Sequence, residues 1–149
     1  MIDVVDIAAA DTHDLRRRVL RDGDPVAELE WPGDHDSSTI HLGVLGAEGS
    51  PIAVSTWLWR PSPLMPDDAA VQLRGMATDP AHRGTGMARA MLEAGLAPAA
   101  AGRIIVAWAN ARVRALGFYE SHGWRAVGPV FATPETGIDH RLVTTTIGN

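Results

Sequence analysis

The sequence has 149 residues (15.9 kDa), a length suited to one domain, and its 46% apolar and 21% charged residues allow an ordinary buried core. It contains no cysteine, all thirteen basic residues are arginine, and Tyr119 is its one tyrosine, which excludes a disulfide framework, a thiol nucleophile, a thiolate metal site, a Schiff-base lysine and a Walker-type phosphate lysine. Thirteen basic against eighteen acidic residues (net charge -5) supply no dense basic stripe for nucleic acid, and no apolar run approaches the ~20 residues of a membrane span.

The first six residues carry Asp3 and Asp6 where a secretory signal needs a basic flank and an apolar core, so a cytoplasmic protein is expected. Residues 2–7 read as a short strand. Asp11 or Thr12 then caps a helix to about Arg21, with Leu15 and Val19 one turn apart and Gly23 closing it. Arg16, Arg17 and Arg18, followed by Asp22 and Asp24, read as a solvated helix face. Residues 22–38 form a polar loop whose acids (Glu28, Glu30, Asp34, Asp36) read as solvated charge, with attraction of a cationic amine as the functional alternative.

Ile40, Leu42 and Val44 alternate at strand period, residues 46–50 are turn chemistry, and 52–59 return as a second strand. Trp57 and Trp59 share one face of it, as core or sheet cover, or as an acceptor platform. A loop with Pro61, Pro63 and Pro66 leads to a strand over 71–78, ended by Asp79-Pro80. Arg83-Gly84-Thr85-Gly86 opens a helix with Ala88, Met91, Leu92 and Gly95 on one face, expected to stop by Pro98 because an interior proline costs about 3 kcal/mol. Residues 103–109, with Ile104, Ile105, Val106 and Trp108, read as a buried strand. A helix over 111–122 is closed by Gly123, and strands follow over 124–131 and 138–147. Strand, glycine loop, helix and strand in that order require a parallel crossover within an otherwise antiparallel sheet, an α+β fold with a mixed sheet.

The segment from Thr78 to Ala88 carries the most chemistry. A strand that ends, turns through glycines and enters a helix directs free N–H groups outward at the helix's positive end. Gly84 and Gly86 carry no side chains to block an anion, and Arg83 adds a guanidinium, so the segment describes a pyrophosphate cradle. The plain alternative is a strand-to-helix turn with glycines for steric reasons. A Walker A loop lacks its lysine here. A Rossmann fingerprint fits poorly, because its third glycine falls at Arg89 and Gly102-Arg103 occupies the region of the ribose acid.

Arg83, Gly86 and Ala88 match the pattern Q/R-x-x-G-x-G/A, and downstream Asn110, Ala115, Phe118, Tyr119 and Gly123 follow a second pattern, with Trp124 replacing its phenylalanine. On these residues the chain resembles the GNAT-superfamily N-acetyltransferases over positions 73–131, while before Val71 it agrees only in element order. Gly137-Ile138-Asp139-His140 is similar to a Gly-Ile-Pro-His segment of some members. The resemblance implies one GNAT-like domain over 1–149, with a mostly antiparallel sheet flanked by helices and a central splayed parallel strand pair.

It also implies acetyl-CoA as co-substrate, lying where those strands part. The main chain of Met76, Ala77 and Thr78 would pair with pantetheine and provide an N–H for the oxyanion. Arg83 and the N–H groups of Gly84, Thr85, Gly86, Met87 and Ala88 would hold the pyrophosphate, and Asn110 the pantetheine arm or adenine side. Tyr119 would protonate the leaving thiolate as a general acid. Without the motif around it, Tyr119 reads as a half-buried aromatic with a surface partner. With neither cysteine nor lysine for an acyl-enzyme, direct attack by a primary amine is the expected route. Glu120, His122, Asp139, His140 or water would take the amine's proton, and His140 is also a substrate-binding candidate at the acceptor end.

The six histidines include no recognised ligand quartet, so no metal is expected; His35 and His41 read as solvated loop residues and His82 as a surface residue. The alternative from another class is a non-catalytic acyl-CoA-binding or regulatory module of the same fold, and a dinucleotide-binding domain is a third reading. Acceptor identity and oligomeric state stay open, with a homodimer among the assemblies allowed.

Overall fold

The computed structural model describes residues 1–147. Among the described residues there are seven strands: β1 (Val5–Asp6), β2 (Ile40–Leu45), β3 (Pro51–Trp59), β4 (Ala70–Thr78), β5 (Val106–Arg112), β6 (Arg125–Ala132) and β7 (Asp139–Thr146). They form one sheet in the order β1-β2-β3-β4-β5-β7-β6. β4 and β5 are parallel, pairing Ala70 with Val106, Val71 with Ala107 and Gln72 with Trp108, whereas β4 runs on to Thr78 and β5 to Arg112. Their connection contains α2 (Met87–Ala101), as a parallel crossover requires. β1–β2, β2–β3, β5–β7 and β6–β7 are antiparallel, so the mixed α+β sheet is the architecture expected.

The chain divides into two compact units, Met1–Leu58 with Arg74–Pro98, and Trp59–Leu73 with the chain from Ala99 onward. In the first, β1 is shorter than residues 2–7 because its ladder with β2 has only two pairs, Val5 with Gly43 and Asp6 with Leu42. The following helical segment passes through a 3-10 turn (Ala9–Thr12), α1 (His13–Leu15) and a π turn (Arg16–Leu20). It starts earlier than the expected caps. Asp11 acts from inside the turn, its Oδ2 accepting the Ala8 N–H at 3.0 Å, while Thr12 Oγ1 donates to the Ala9 carbonyl at 2.7 Å. Gly23 closes the segment with an N–H bond of 2.8 Å to the Arg17 carbonyl. Leu15 then buries against Val54 and Ala77, flanked by Ile7, Val19 and Leu20.

Met91, Leu92 and Gly95 of α2 are buried, as its periodicity implies, and Gly95 lies against Trp57. The helix does not stop at Pro98 but continues to Ala101. Proline removes its own N–H from the ladder and crowds the carbonyl four residues earlier, but neither effect touches the N–H groups that follow it. The last turn is retained by buried Ala99 and by bonds from Ile104 N–H to the Ala99 carbonyl (2.9 Å) and Arg103 N–H to the Ala100 carbonyl (3.0 Å).

The second unit has a core of Ala70, Val106, Trp108 and Leu142, with Met65 and Val127 against it. The Trp108 indole N–H donates to the Arg60 carbonyl at 2.8 Å. β5 begins at Val106 rather than residue 103, because Arg103 sits in left-handed backbone and Ile105 is exposed rather than buried. It also runs further than expected, since Ala111 and Arg112 still pair with Arg141 and His140 of β7. A 3-10 turn (Val113–Ala115) and α3 (Leu116–Ser121) therefore replace a helix starting at 111. Trp124 N–H returns to the Tyr119 carbonyl at 3.0 Å and Gly123 N–H to that of Glu120 at 3.2 Å, which closes α3 where Gly123 was expected to. Trp59, unlike Trp57, is exposed.

Candidate functional site

The first group of candidates lies on one continuous stretch, the end of β4, the glycine loop and the start of α2. Past Thr78, Asp79 anchors the chain: its N–H donates to the Ile52 carbonyl (2.8 Å), Oδ1 accepts the Ala81 N–H (2.9 Å) and Oδ2 accepts Arg18 Nη2 (3.0 Å). The Ala81 N–H and the Arg18 guanidinium hold the Asp79 carboxyl below its ordinary range. Asp79 thereby caps the 3-10 turn Pro80–His82, and Thr85 Oγ1 donates to the His82 carbonyl at 2.5 Å.

Gly84 and Gly86 have φ of +76° and +88°, the left-handed region that side chains disfavour. A β-carbon on Gly84 would meet nothing within 4 Å, so backbone conformation rather than crowding selects glycine there. The first intrahelical bond of α2 runs from Ala90 N–H to the Gly86 carbonyl (3.0 Å). Helix geometry therefore leaves the Met87, Ala88 and Arg89 N–H groups without an acceptor inside α2. The first turn carries no acidic residue, and Arg83, Gly84, Thr85 and Gly86 are all exposed. These are the features a phosphate oxygen requires: open donors, a positive helix end and an accessible guanidinium.

Within β4, Ala77 points into the core with Leu15 and Val54, which puts Met76 and Thr78 on the opposite face. Gly75 just before them has φ of +62°, a left-handed residue inside a strand.

The second group sits on β5, α3 and β7. Asn110 is exposed and pairs with Leu142; it lies inside β5, not at the strand's end. Tyr119 is 6% exposed, not half-buried, with its ring 5.3 Å from Phe118 (74° between planes) and 5.3 Å from Trp124 (58°). Trp124 thus packs directly against the Tyr119 ring. Burial pushes the Tyr119 phenol well above its ordinary value, so it stays protonated.

His140 pairs with Arg112 on one side and Phe131 on the other, and its ring stacks on Phe131 at 6.1 Å. Its Nδ1 donates to the Ile138 carbonyl at 2.7 Å, which puts the lone pair on Nε2. His122 is exposed and spends its Nδ1 on the Phe118 carbonyl at 2.8 Å; Glu120 and Asp139 are exposed.

Three residues read as solvated are in fact buried: Arg16, Asp34 and His41. Arg17 and Arg18, its neighbours in sequence, behave as surface residues. Nothing local separates the three arginines except that Arg16 follows Leu15 on the stripe that also holds Thr12, and that spacing was the one available signal. Among the described residues no group of three or more His, Asp or Glu side chains is arranged for a metal ion, and no helix is long and apolar enough to cross a membrane.

Residues 43–126 match the acetyltransferase (GNAT) domain. The uncharacterized N-acetyltransferase YitI of Bacillus subtilis (strain 168) is 29% identical over 143 residues, covering 96% of this chain and 94% of that protein. Among solved structures, an acyl-CoA N-acyltransferase from Pseudomonas aeruginosa superposes with a TM-score of 0.74 at 19% identity, covering 97% of this chain and 99% of the other. A GNAT superfamily phosphinothricin acetyltransferase from Sinorhizobium meliloti, in complex with AcCoA, gives 0.71 at 15% identity, covering 99% and 89%. At these identities the two structures establish a shared fold.

Proposed function

The chain belongs to the GNAT acetyltransferase family, and we propose that it moves an acetyl group from acetyl-CoA to a primary amine by direct attack, residues 1–149 acting as one cytoplasmic catalytic domain. The observation that carries this reading is the glycine loop: two left-handed glycines, an exposed arginine and the open N–H groups at the start of α2 fit a pyrophosphate. The Sinorhizobium meliloti relative in complex with AcCoA supports the same ligand class.

Acetyl-CoA supplies the activated thioester. Arg83 and the N–H groups of residues 84–88 bind its pyrophosphate, the main chain of Met76 and Thr78 binds its pantetheine, and Asn110 contacts the pantetheine arm or the adenine side. The amine nitrogen attacks the carbonyl carbon, the carbonyl oxygen gathers charge against the Met76 N–H, and the carbon–sulfur bond then breaks. Tyr119 gives its phenolic proton to the departing sulfur and recovers one from solvent. Burial holds the phenol in its protonated form, so the proton is available when charge develops on sulfur. On the acceptor side, Nε2 of His140 takes the proton that the attacking nitrogen loses as the amide forms.

A panel of primary amines, with CoA release followed by a thiol reagent, tests the reading. The protein has no cysteine, so the colour reports CoA alone. CoA release above the no-acceptor baseline with one or more amines is expected. Thermal stabilisation by acetyl-CoA without release on any amine would make the protein a binding module instead, and stronger stabilisation by NAD would make it a dinucleotide binder.

A further inference from the structure

The buried charges have a common centre. Asp34, its carboxylate removed from solvent, accepts Arg16 Nη1 at 2.6 Å and the Trp31 N–H at 2.8 Å on Oδ2, and Arg74 Nη2 at 2.7 Å and Arg16 Nη2 at 3.2 Å on Oδ1. Arg16 also donates to the Leu29 carbonyl and to Thr56 Oγ1, both at 2.8 Å. His41 joins Thr56 Oγ1 to the Asp34 carbonyl through its two ring nitrogens, each at 2.8 Å. Segment 29–34 is thereby wrapped around one guanidinium.

That wrapping seats Trp31. Its indole lies over Arg16 at 3.8 Å, with Arg21 at 5.1 Å and Arg74 at 5.6 Å, and its Nε1 donates to the Glu28 carbonyl at 3.0 Å. The far edge of the ring rests on Gly75, where a β-carbon would stand 2.9 Å from Trp31 Cζ3 and 3.4 Å from Arg16 Nε. Position 75 is the left-handed residue of β4, and Arg74 beside it is tied to the same Asp34. The chain is thus gripped at two successive residues just before Met76. The ψ angle of Gly75 sets the plane of the 75–76 peptide and hence the direction of the Met76 N–H. Glycine alone tolerates many settings there, so a neighbour must select one.

We propose that Trp31, held by the Arg16–Asp34–Arg74 ion cluster, is a positioning residue that sets the Gly75–Met76 peptide and so aims the Met76 N–H at the thioester oxygen. This rests on the assignment of the Met76 main chain to acetyl-CoA made above. Trp31 touches no reacting atom; it acts through Gly75.

The test uses the full chain labelled with 15N-methionine, whose five methionines give few amide peaks; loss of a peak in Met76→Leu assigns Met76. Trp31→Leu is expected to move the Met76 peak while the Met65 and Met87 peaks hold. It should lower kcat by about tenfold to hundredfold, with KM for acetyl-CoA changed by less than about threefold. Trp31→Phe, which keeps a ring beside Gly75, should recover most of kcat. An unmoved Met76 peak, or a kcat that falls only with the folded fraction, overturns the proposal. Should Trp31→Leu not fold, Trp31→His, whose shorter ring loses the edge that rests on Gly75, decides: a shifted Met76 peak with kcat down about threefold or more supports the proposal, and an unshifted peak or an unchanged kcat overturns it. The peak is read without acetyl-CoA and judges the clamp alone, whereas wild-type protein that binds no acetyl-CoA overturns the cofactor reading and the thioester role with it.

Discussion

Gly95 of α2 lies directly beneath the indole of Trp57: a β-carbon at position 95 would stand 1.8 Å from Cε2 and 2.0 Å from Cζ2. The indole is fixed there, buried and donating from Nε1 to Ser55 Oγ at 3.0 Å, and Ser55 in turn reaches Met91 Sδ at 3.3 Å. Gly95→Ala gains up to about 1 kcal/mol of helix propensity but forces helix and strand apart, at a cost of about 1–3 kcal/mol or more. We expect a net loss of stability in thermal or urea unfolding, partly recovered in the Gly95→Ala/Trp57→Phe double variant.

The buried phenol gives a prediction in two parts. Tyr119→Phe keeps the ring contacts with Phe118 and Trp124 and should leave acetyl-CoA affinity unchanged, while kcat falls by about 10²–10⁴-fold. Wild-type turnover in this variant on an established amine would remove Tyr119 from the mechanism.

Its pH dependence follows from the direction of the shift. Burial raises the folded-state value above about 10, the unfolded one, so the folded protein holds this proton more tightly. The associated stability is complete below pH ~10 and is lost as pH rises further. Alkaline unfolding should therefore be less steep with pH in Tyr119→Phe than in wild type, as followed by far-UV circular dichroism.

Asp34 behaves oppositely. Burial pushes its carboxyl up, but the Arg16 guanidinium, the Trp31 N–H and the Arg74 guanidinium outweigh that and hold it well below the carboxylate range. Its stability contribution is present above the unfolded value of about 3.9 and is lost as pH falls towards the folded one. Asp34→Asn leaves buried guanidinium charge uncompensated and should cost about 3–5 kcal/mol at neutral pH. The difference from wild type should shrink in acid, as measured by unfolding between pH 7 and pH 2.

The glycine loop predicts a binding effect separable from chemistry. Gly86→Ala forces a side chain into left-handed backbone, at about 1–2 kcal/mol, and Arg83→Ala removes a charged donor worth about 1.5–3 kcal/mol. Both should weaken acetyl-CoA binding by about tenfold or more in calorimetric titration, with a smaller effect on kcat at saturation. Unchanged affinity in both would place the pyrophosphate elsewhere.

Local chemistry made much of this protein legible from its residues in order. Period-two alternation announces β2 and β3, and Gly84 and Gly86 after Asp79-Pro80 announce a strand-to-helix turn, because φ preference and missing hydrogens are properties of the residue itself. Element ends were less legible. Ala111 and Arg112 stay in β5 only because Arg141 and His140, far along the chain, supply a ladder, and α2 outlasts Pro98 because Ala99 is buried.

The scarcities of the composition, no thiol, no lysine and a single phenol, limited the chemistry before any fold was known, since a missing functional group cannot be restored by folding. Tertiary structure decided how the groups that are present behave. It buried Tyr119 and so tightened the hold on its proton, and it separated Arg16 from the otherwise equivalent Arg17 and Arg18 by supplying Asp34, Thr56 and Trp31 from distant segments. Desolvation and ion pairing depend on what surrounds a side chain in space, and linear order carries no record of that.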